Sequence, residues 1–312
     1  MIRDVRRSDG PTLFHLMQRE FPEESALLGG RPEEFQRIVR RAFRWDTRLL
    51  LGLLRLFGRR IFRFLVIETD QRMVAMTMVT FPSVAAYVSN VVVDPAYRRR
   101  GYAKQMLEEA RRTAKAAGRT YIALDVLETN TPARRLYDSL GYRPLRTRTH
   151  YVHESAGPAG SLPAPDPAVR PFRPDDAAAL VAIVRRQTAP EVERVLPTRE
   201  SHFRGSRFEN RLLESEAASW VVDRGNGAEA YVGTTVSAAF EAANLTAPVV
   251  SESVDPELAV SLVRTAGAWV AARKAPRVLC QVDDVNVRGR AALEAGGFRR
   301  VLASSTLYRP VD

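Results

Sequence analysis

Apolar residues follow two different spacings along the chain, and each change of spacing marks a change of element. Over residues 12–20 and 33–57 they recur every three or four positions, which predicts helices. Over 62–68 and 73–81, short β-branched and apolar runs flank the polar pair Asp70-Gln71, which predicts two strands joined by a turn. The beginning of the chain therefore mixes helices with strands.

The same alternation continues to residue 140. The pattern predicts a strand at 87–93, a helix at 101–117, a strand at 121–127 and a short helix at 132–140. Strands and helices that alternate around one mixed sheet indicate an α+β protein with α/β-type layers rather than a helical bundle.

A connector interrupts this pattern and separates two similar segments. Residues 155–167 are rich in Pro, Gly and Ala and have no apolar period. On either side of it, an Asn, an Arg, an acid, a Gly and a closing aromatic in 130–142 recur in 286–298 at a constant offset of 156. The repeat predicts two copies of one fold, with domains at 1–154 and 168–312.

Length and composition agree with two soluble domains. The chain has 312 residues, of which 45% are apolar and 27% charged, as is typical of globular proteins. The apolar run 49–54 is far shorter than the roughly 20 residues that span a bilayer, and residues 1–7 lack the apolar stretch of a secretory signal. The single cysteine, Cys280, cannot form an internal disulfide. We therefore expect a cytoplasmic protein, either a monomer or a homodimer.

The excess positive charge lies in the first half of the chain. Residues 1–155 hold 28 basic and 17 acidic residues, whereas 156–312 hold 19 of each. This asymmetry indicates that the first half meets an anion. Nucleic acid is not expected, because no recognition-helix motif or aromatic-interleaved basic strand accompanies the charge.

The loop after the strand at 87–93 has the composition of an anion site. The strand ends in Val91, Val92 and Val93, and a glycine lies where the next helix begins, so that successive backbone N–H groups can converge beside the positive end of the helix dipole. Such a nest fits a pyrophosphate; the alternative is a basic turn that opens an amphipathic helix. The residues of this loop are Arg98, Arg99, Arg100, Gly101, Tyr102, Ala103 and Lys104.

The run Arg98-Arg99-Arg100-Gly101-Tyr102-Ala103 resembles the Arg/Gln-x-x-Gly-x-Gly/Ala signature of the GNAT superfamily of N-acetyltransferases. Segments 89–95 and 130–142 resemble two further motifs of that family, in the same order. The resemblance covers 62–145 well and 1–30 loosely. It implies an acetyl-CoA-dependent transferase whose mixed, mostly antiparallel sheet contains a splayed pair of parallel strands.

The resemblance also implies roles for single residues. Amides of the loop up to Lys104 would hold the CoA pyrophosphate, and amides of Val91 to Val93 would bind the pantetheine and the thioester carbonyl. Asn130 would hydrogen-bond the cofactor arm. Tyr137 would protonate the departing thiolate, because a phenol is a weaker acid than a thiol; the alternative is a half-buried aromatic without a catalytic role.

The sequence leaves several candidates for the general base that takes a proton from the amine. Asp125 resembles the acidic residue that members acting on protein N-termini use, and the alternative is a solvated strand acid. Glu68, Glu128 or a water relay also remain open. No metal site is expected, because the pair His150-x-x-His153 has an odd spacing that places the two rings on opposite faces of a strand.

The second copy lacks the features of the anion loop. The stretch from Asp255 to Asn286 is five residues shorter than its counterpart in the first copy, and its helix begins without the glycine or the arginines. Leu293, which cannot donate a proton, occupies the position of Tyr137. We expect a degenerate second copy without the pyrophosphate loop.

The segment 36–63 contains nine arginines and one acid. It could be a lid that attracts an acidic acceptor, a contact to an anionic membrane surface, or the solvated face of an amphipathic helix. Together these observations predict an enzyme that transfers an acetyl group directly to a primary amine of a small molecule, peptide or protein. The alternative is a non-catalytic acyl-CoA-binding regulatory or scaffold protein.

Overall fold

The computed structural model of the chain describes residues 1–20, 62–154, 166–205, 210, 214–237 and 240–312. The predicted helix at 33–57, all but the last two residues of the arginine-rich segment 36–63, and most of the connector 155–167 lie outside the described residues.

The first copy follows the predicted order of elements closely. Its strands and helices are β1 (Ile2–Asp4), α1 (Gly10–Glu20), β2 (Phe62–Thr69), β3 (Arg72–Thr80), β4 (Ala85–Val93), α2 (Tyr102–Ala116), β5 (Tyr121–Leu127), α3 (Thr131–Ser139) and β6 (Arg143–Glu154). The turn between β2 and β3 is formed by Asp70 and Gln71, whose φ angles of 51° and 59° give the hairpin turn that matches strand twist.

The second copy repeats most of this order. Its elements are β7 (Val169–Pro171), α4 (Ala177–Gln187), α5 (Pro190–Val195), α6 (Ser201–Arg204), β8 (Ser215–Asp223), β9 (Ala228–Ser237), β10 (Ala242–Leu245), β11 (Val249–Val250), α7 (Pro256–Ala271), β12 (Arg277–Asp283), α8 (Val287–Ala295) and β13 (Arg299–Pro310). Both copies contain a mixed sheet with one parallel pair, β4 with β5 and β10 with β12.

The strands of both copies join in a single sheet of 13 strands within the described part of the chain, and the final strands of the two copies change places. The strand order is β1-β2-β3-β4-β5-β13-β6-β12-β10-β9-β8-β7, with β11 beside β9. Thus β13 pairs with β5 of the first copy, and β6 pairs with β12 of the second. The two registers are equivalent under the offset of 156, since Leu127 lies opposite Ser304 and Asp283 lies opposite Arg148.

The two faces of the sheet are packed differently around β5. Ile122, Leu124 and Val126 point to the face covered by α2, which we call the α2 face. Ala123 points to the opposite face, where the second copy's Val195 packs against it. Since α1 covers neighbouring strands on that side, we call it the α1 face. A side chain on β5 therefore reaches one face or the other according to its position in the alternation.

Candidate functional site

The parallel strands β4 and β5 separate part-way along their length. Their pairing is confined to Ala85–Val88 and Tyr121–Leu124. Just beyond the last pair, β4 contains a bulge at Asn90, whose φ is +55°. A bulge bends its strand and disrupts the ladder. The edge of β4 that faces β5 is consequently without a sheet partner from Ser89 to Val93 among the described residues.

The three valines predicted to bind the cofactor lie on this free edge. Val92 is buried on the α1 face, and Val91 and Val93 are packed in part on the α2 face. Their β3 side is paired, because Val93 lies opposite Ala75. Only the side facing the opening is left for a ligand to pair with main-chain groups.

The loop between β4 and α2 has the backbone that the sequence predicts. Gly101, with φ +81°, is the N-cap of α2, and Arg99 is also left-handed at φ +63°. A Cβ at Gly101 would meet no atom within 4 Å, so that glycine serves backbone conformation rather than close packing. The first turn of α2 contains no acid. The loop thus presents an exposed helix N-terminus.

The arginines of this loop have different surroundings. Arg98 donates from Nε to the Val93 carbonyl at 3.3 Å and forms an ion pair with Glu20 at the end of α1. The Arg100 guanidinium lies 5.2 Å from the centre of the Tyr97 ring. Arg99, Arg100, Gly101 and Lys104 are exposed. The Arg98 side chain therefore ties the loop to α1, while the neighbouring cations face solvent.

Two more of the predicted loop residues lie where the helix meets the sheet. The hydroxyls of Tyr102 and Thr69 are 3.4 Å apart, and Ala103 is half-buried at the beginning of α2. The opposite side of the opening is bounded by α3, whose N-cap is Asn130; its side-chain oxygen accepts from the Ala133 amide at 3.2 Å.

Tyr137 is buried on α3, and it contributes to the core on the α2 face. Only 6% of its surface is exposed, and its ring lies 5.8 Å from that of Tyr142. Burial raises the pKa of Tyr137 to about 12. The phenol therefore keeps its proton throughout the neutral range, as a proton donor must.

Asp125 lies on the opposite side of the opening. It is the first residue of β5 after the paired segment and follows Ala123 in the alternation, so its carboxylate is on the α1 face. It accepts from the Thr306 hydroxyl at 2.6 Å and from Arg148 at 3.3 Å. Burial, followed by the charge of Asp125, raises the pKa of Tyr87. These two hydrogen bonds fix the orientation of the Asp125 carboxylate, so it differs from the solvated strand acid of the alternative interpretation.

The contacts of Asp125 belong to a closed ring of five side chains, which we call the junction ring. Arg146 donates from Nε to the Thr306 hydroxyl at 3.3 Å and from Nη1 to Asp283 at 2.9 Å. Asp283 in turn lies 3.5 Å from the Arg148 Nε, and Arg148 closes the ring at Asp125. The ring spans β5, β13, β6 and β12, so both copies contribute to it.

Sequence reasoning did not identify the other members of the junction ring or Tyr87. A signal was present for two of them: Arg146 and Arg148 alternate with other residues on one strand, which places them on one face. Their partners Thr306 and Asp283 are not predictable in this way, because both belong to the second copy.

The other two acids considered for the base have their own partners. Glu68 on β2 binds Arg3 at 2.6 Å. Glu128, just after β5, accepts from the Ser305 hydroxyl at 3.0 Å and lies 3.7 Å from Arg134. Of the three acids, Asp125 alone lies on the α1 face at the point where the strands part.

The second copy also packs directly beside this position. Val195 at the end of α5, together with the partly buried Leu196, shares a hydrophobic cluster with Tyr87, Ala85 and Ala123. The α1 face next to the opening thus has an apolar side formed by α5 and a polar side formed by the junction ring.

The histidines do not form a metal centre. His150 Nε2 lies 2.8 Å from the Ser304 hydroxyl, and the centre of the His153 ring lies 5.1 Å from that of Phe298. In the described ranges there is no group of three or more residues that could hold a metal ion. Nor is any described helix both long and apolar enough to cross a bilayer.

The equivalent helix start in the second copy has the opposite character. Asp255 is the N-cap of α7, with Glu257 in the first turn. Leu293, at the position of Tyr137, is fully buried. Carboxylates at a helix N-terminus occupy the place where an anionic ligand would bind.

A comparison with protein families matches residues 12–142 to the model described as the acetyltransferase (GNAT) family. A GCN5-related N-acetyltransferase from Sphaerobacter thermophilus has a similar structure, with a TM-score of 0.64 and 16% identity over 100% of this chain and 95% of that chain. Residues 12–142 are therefore similar to GNAT-family acetyltransferases, and the chain has a GNAT-like fold. At this level of identity, the structural likeness shows the fold alone.

Two curated relatives of this part of the chain have the same name, [ribosomal protein bS18]-alanine N-acetyltransferase. The one from Haemophilus ducreyi is 38% identical over 66 residues, which is 21% of this chain and 46% of the relative. The one from Salmonella typhimurium is 29% identical over 118 residues, which is 37% of this chain and 76% of the relative. The chain thus spans about half of the length of the first relative and about three quarters of the second.

Proposed function

We propose that this protein is an acetyl-CoA-dependent N-acetyltransferase that acetylates a primary amine. Residues 1–154 would contain the site, and 168–312 would be a degenerate second copy that supports it. The observation that carries the proposal is the opening between β4 and β5, with an exposed helix N-terminus at one end and Asp125 and Tyr137 on its two faces.

The free edge of β4 and the loop at Gly101 fit the cofactor. Along Val91 to Val93, the main-chain groups that do not pair with β3 face the opening, and amides that converge on the N-terminus of α2 favour a diphosphate. Acetyl-CoA, when bound, supplies the activated acetyl group. An amide beside its thioester carbonyl would stabilise the negative charge that develops on that oxygen.

The acceptor amine would approach from the α1 face. An ammonium group is attracted to the Asp125 carboxylate and must lose a proton before it can attack. A carboxylate offers about four acceptor positions. Thr306 and Arg148 occupy two of them, so acceptor positions remain for the amine.

Tyr137 would act from the opposite face. Its phenol is protonated at neutral pH because burial raises its pKa to about 12. It can therefore donate its proton to the thiolate of CoA. Because the base and the acid lie on opposite faces, the amine can enter from one face while the thiol leaves toward the other.

A peptide N-terminus is the acceptor class that the relatives favour. Both curated relatives have names that refer to the alanine of a ribosomal protein, and the spacing of Asp125 and Tyr137 is typical of members that act on protein N-termini. We therefore propose a protein or peptide α-amine in preference to a small polyamine.

The test separates cofactor binding from acetyl transfer. We expect Gly101→Asp to weaken acetyl-CoA binding in calorimetry by tenfold or more, because it places a carboxylate at the helix N-terminus. Gly118→Asp is the matched control, since Gly118 is also exposed and left-handed, at φ +66°, with no atom near its Cβ position. It lies just beyond the other end of α2 and should leave affinity unchanged.

Acetyl transfer is followed as CoA release with a panel of peptides that differ in their first residue. Peptides with a free α-amine should support release, whereas the same peptides with a blocked N-terminus should not. Unchanged affinity in a folded Gly101→Asp protein would refute the cofactor site. Tight binding without release for any amine would instead indicate an acyl-CoA-binding protein without turnover.

A further inference from the structure

We propose that Thr306, a residue of the second copy, is the positioning residue for Asp125, so that the acceptor side of the first copy is incomplete without β13. This inference rests on the proposed function, since it assigns a partner to the proposed base. It concerns a residue 181 positions away from Asp125 in the chain.

The contact between the two residues is short and directed. The Thr306 hydroxyl donates to Asp125 Oδ1 at 2.6 Å and accepts from Arg146 Nε at 3.3 Å. Thr306 is fully buried, whereas 30% of the Asp125 side chain is exposed. A hydroxyl that accepts from a cation becomes a better donor to a carboxylate, because hydrogen bonds in a chain polarise one another. Thr306 therefore fixes one oxygen of Asp125 and leaves the exposed part for an amine.

The internal repeat separates structural contacts from a functional one. Ser305 next to Thr306 donates to Glu128 at 3.0 Å, and its counterpart Thr149 donates to Asp284 at 2.6 Å. The same bond between a hydroxyl and an acid thus exists in both copies. Because the second copy lacks the anion loop, a contact that it retains serves the fold.

The contact of Thr306 is not repeated. The counterpart of Asp125 is Gln281, and the counterpart of Thr306 is His150. The two face each other in the register of β6 and β12, yet His150 bonds instead to Ser304 at 2.8 Å. Only the copy with the open cofactor cleft pairs a hydroxyl with a carboxylate here. This difference assigns the contact to the site rather than to strand pairing.

The decisive variant is Thr306→Val, which keeps the shape and β-propensity of the residue and removes the hydroxyl. We expect kcat/KM for the amine to fall about tenfold, as the loss of one hydrogen bond to a charged group predicts. The KM for acetyl-CoA should not change. The loss should appear in kcat, because the carboxylate that takes the proton from the amine is no longer held in one orientation. Thr306→Ser should restore both values.

The matched control is Ser305→Ala, which removes the neighbouring hydroxyl on the same strand. It should leave kcat unchanged even if it lowers the melting temperature. An equal effect of both variants on kcat/KM, or a Thr306→Val protein with unchanged kcat, would overturn the assignment.

A second readout does not depend on turnover. The NMR signal of the Asp125 carboxyl carbon can be followed with 13C-labelled aspartate and assigned with Asp125→Asn. Its chemical shift at pH 7 should change in Thr306→Val and stay the same in Ser305→Ala. If the wild type acetylates no amine, the proposed function fails. This chemical shift still decides whether Thr306 positions Asp125.

Discussion

The two copies build the same strand–helix corner, but one is open and the other is closed. Asn130 and Asn286 cap α3 and α8 with nearly identical backbone angles, φ −83° and ψ 67° against φ −81° and ψ 70°. In the second copy, however, Asn286 Nδ2 also donates to the Pro248 carbonyl at 2.8 Å. That bond links α8 to the chain that follows β10 and spans the position of the cleft.

The helix packs correspondingly closer in the second copy. Gly289 lies at the position of Ala133, and a Cβ there would come within 2.6 Å of the Pro248 carbonyl. The methyl group of Ala133 fits in the first copy, but a methyl group at Gly289 would have no room in the second. If residues 168–312 are a degenerate copy, as we propose, one glycine and one amide close its cleft while the sheet and its helices are retained.

The largest difference between the copies should come from Tyr137, whose counterpart is Leu293. We expect Tyr137→Phe to lower kcat by about 100- to 1,000-fold, within the range for loss of a general acid, with little change in acetyl-CoA affinity. Stopped-flow or steady-state CoA release measures it. Because burial raises the pKa of this phenol to about 12, the wild-type rate should not fall through its ionisation below about pH 10.

Tyr142→Phe is the control for this variant, because Tyr142 is equally buried and its ring contacts that of Tyr137. It should retain most of the activity. A Tyr137→Phe enzyme with normal kcat would place the proton donor elsewhere and remove the main functional difference between the copies.

Much of the open copy could be predicted from the sequence, because its signals are local. The strand end at Val93, the glycine turn at Gly101 and the alternation that separates Asp125 from its neighbours all depend on residues close in the chain. Each of these elements is found where the pattern places it.

The change of place of β6 and β13 could not be predicted. Both strands have equivalent registers under the same offset, so either could pair with its own copy or with the other. The pattern of apolar residues is the same in both arrangements. The junction ring was missed for the same reason, since the partners of Arg146 and Arg148 depend on which strand lies beside β5.

Both copies have an arginine that binds two carboxylates, and we expect these ion pairs to stabilise the two copies equally. Arg3 binds Asp9 and Glu68 in the first copy, and Arg170 binds Asp176 and Asp223 in the second. We expect Arg3→Gln and Arg170→Gln each to lower the free energy of unfolding at pH 7 by about 2–3 kcal/mol, because each leaves partly buried carboxylates unpaired. Chemical denaturation measures both.

These losses should depend on pH in one direction. The hydrogen bonds from Arg170 lower the pKa of Asp176 and of Asp223. A carboxyl with a lowered pKa stabilises the fold at neutral pH and loses that contribution as pH falls below about 4. The gap between wild type and Arg170→Gln should therefore narrow toward pH 2. A gap that stays constant would mean that the arginine acts by packing instead.

The smallest and most direct test changes the two capping asparagines to aspartate, which keeps the capping oxygen and removes the amide donor. Asn286→Asp should lower the free energy of unfolding by about 1–2 kcal/mol, because it replaces the bond to Pro248 with two facing oxygens. It should leave acetyl-CoA affinity unchanged. Asn130→Asp should be neutral in stability, since aspartate is as good an N-cap. If Asn130 binds the cofactor arm, as we propose, the loss of its amide donor should weaken acetyl-CoA binding severalfold. Chemical denaturation gives the change in stability of each variant, and calorimetry gives its change in acetyl-CoA affinity. If both variants change stability alone, Asn130 is only a cap and the cofactor arm is held by other residues; if Asn286→Asp creates acetyl-CoA binding, the second cleft is closed by that single bond.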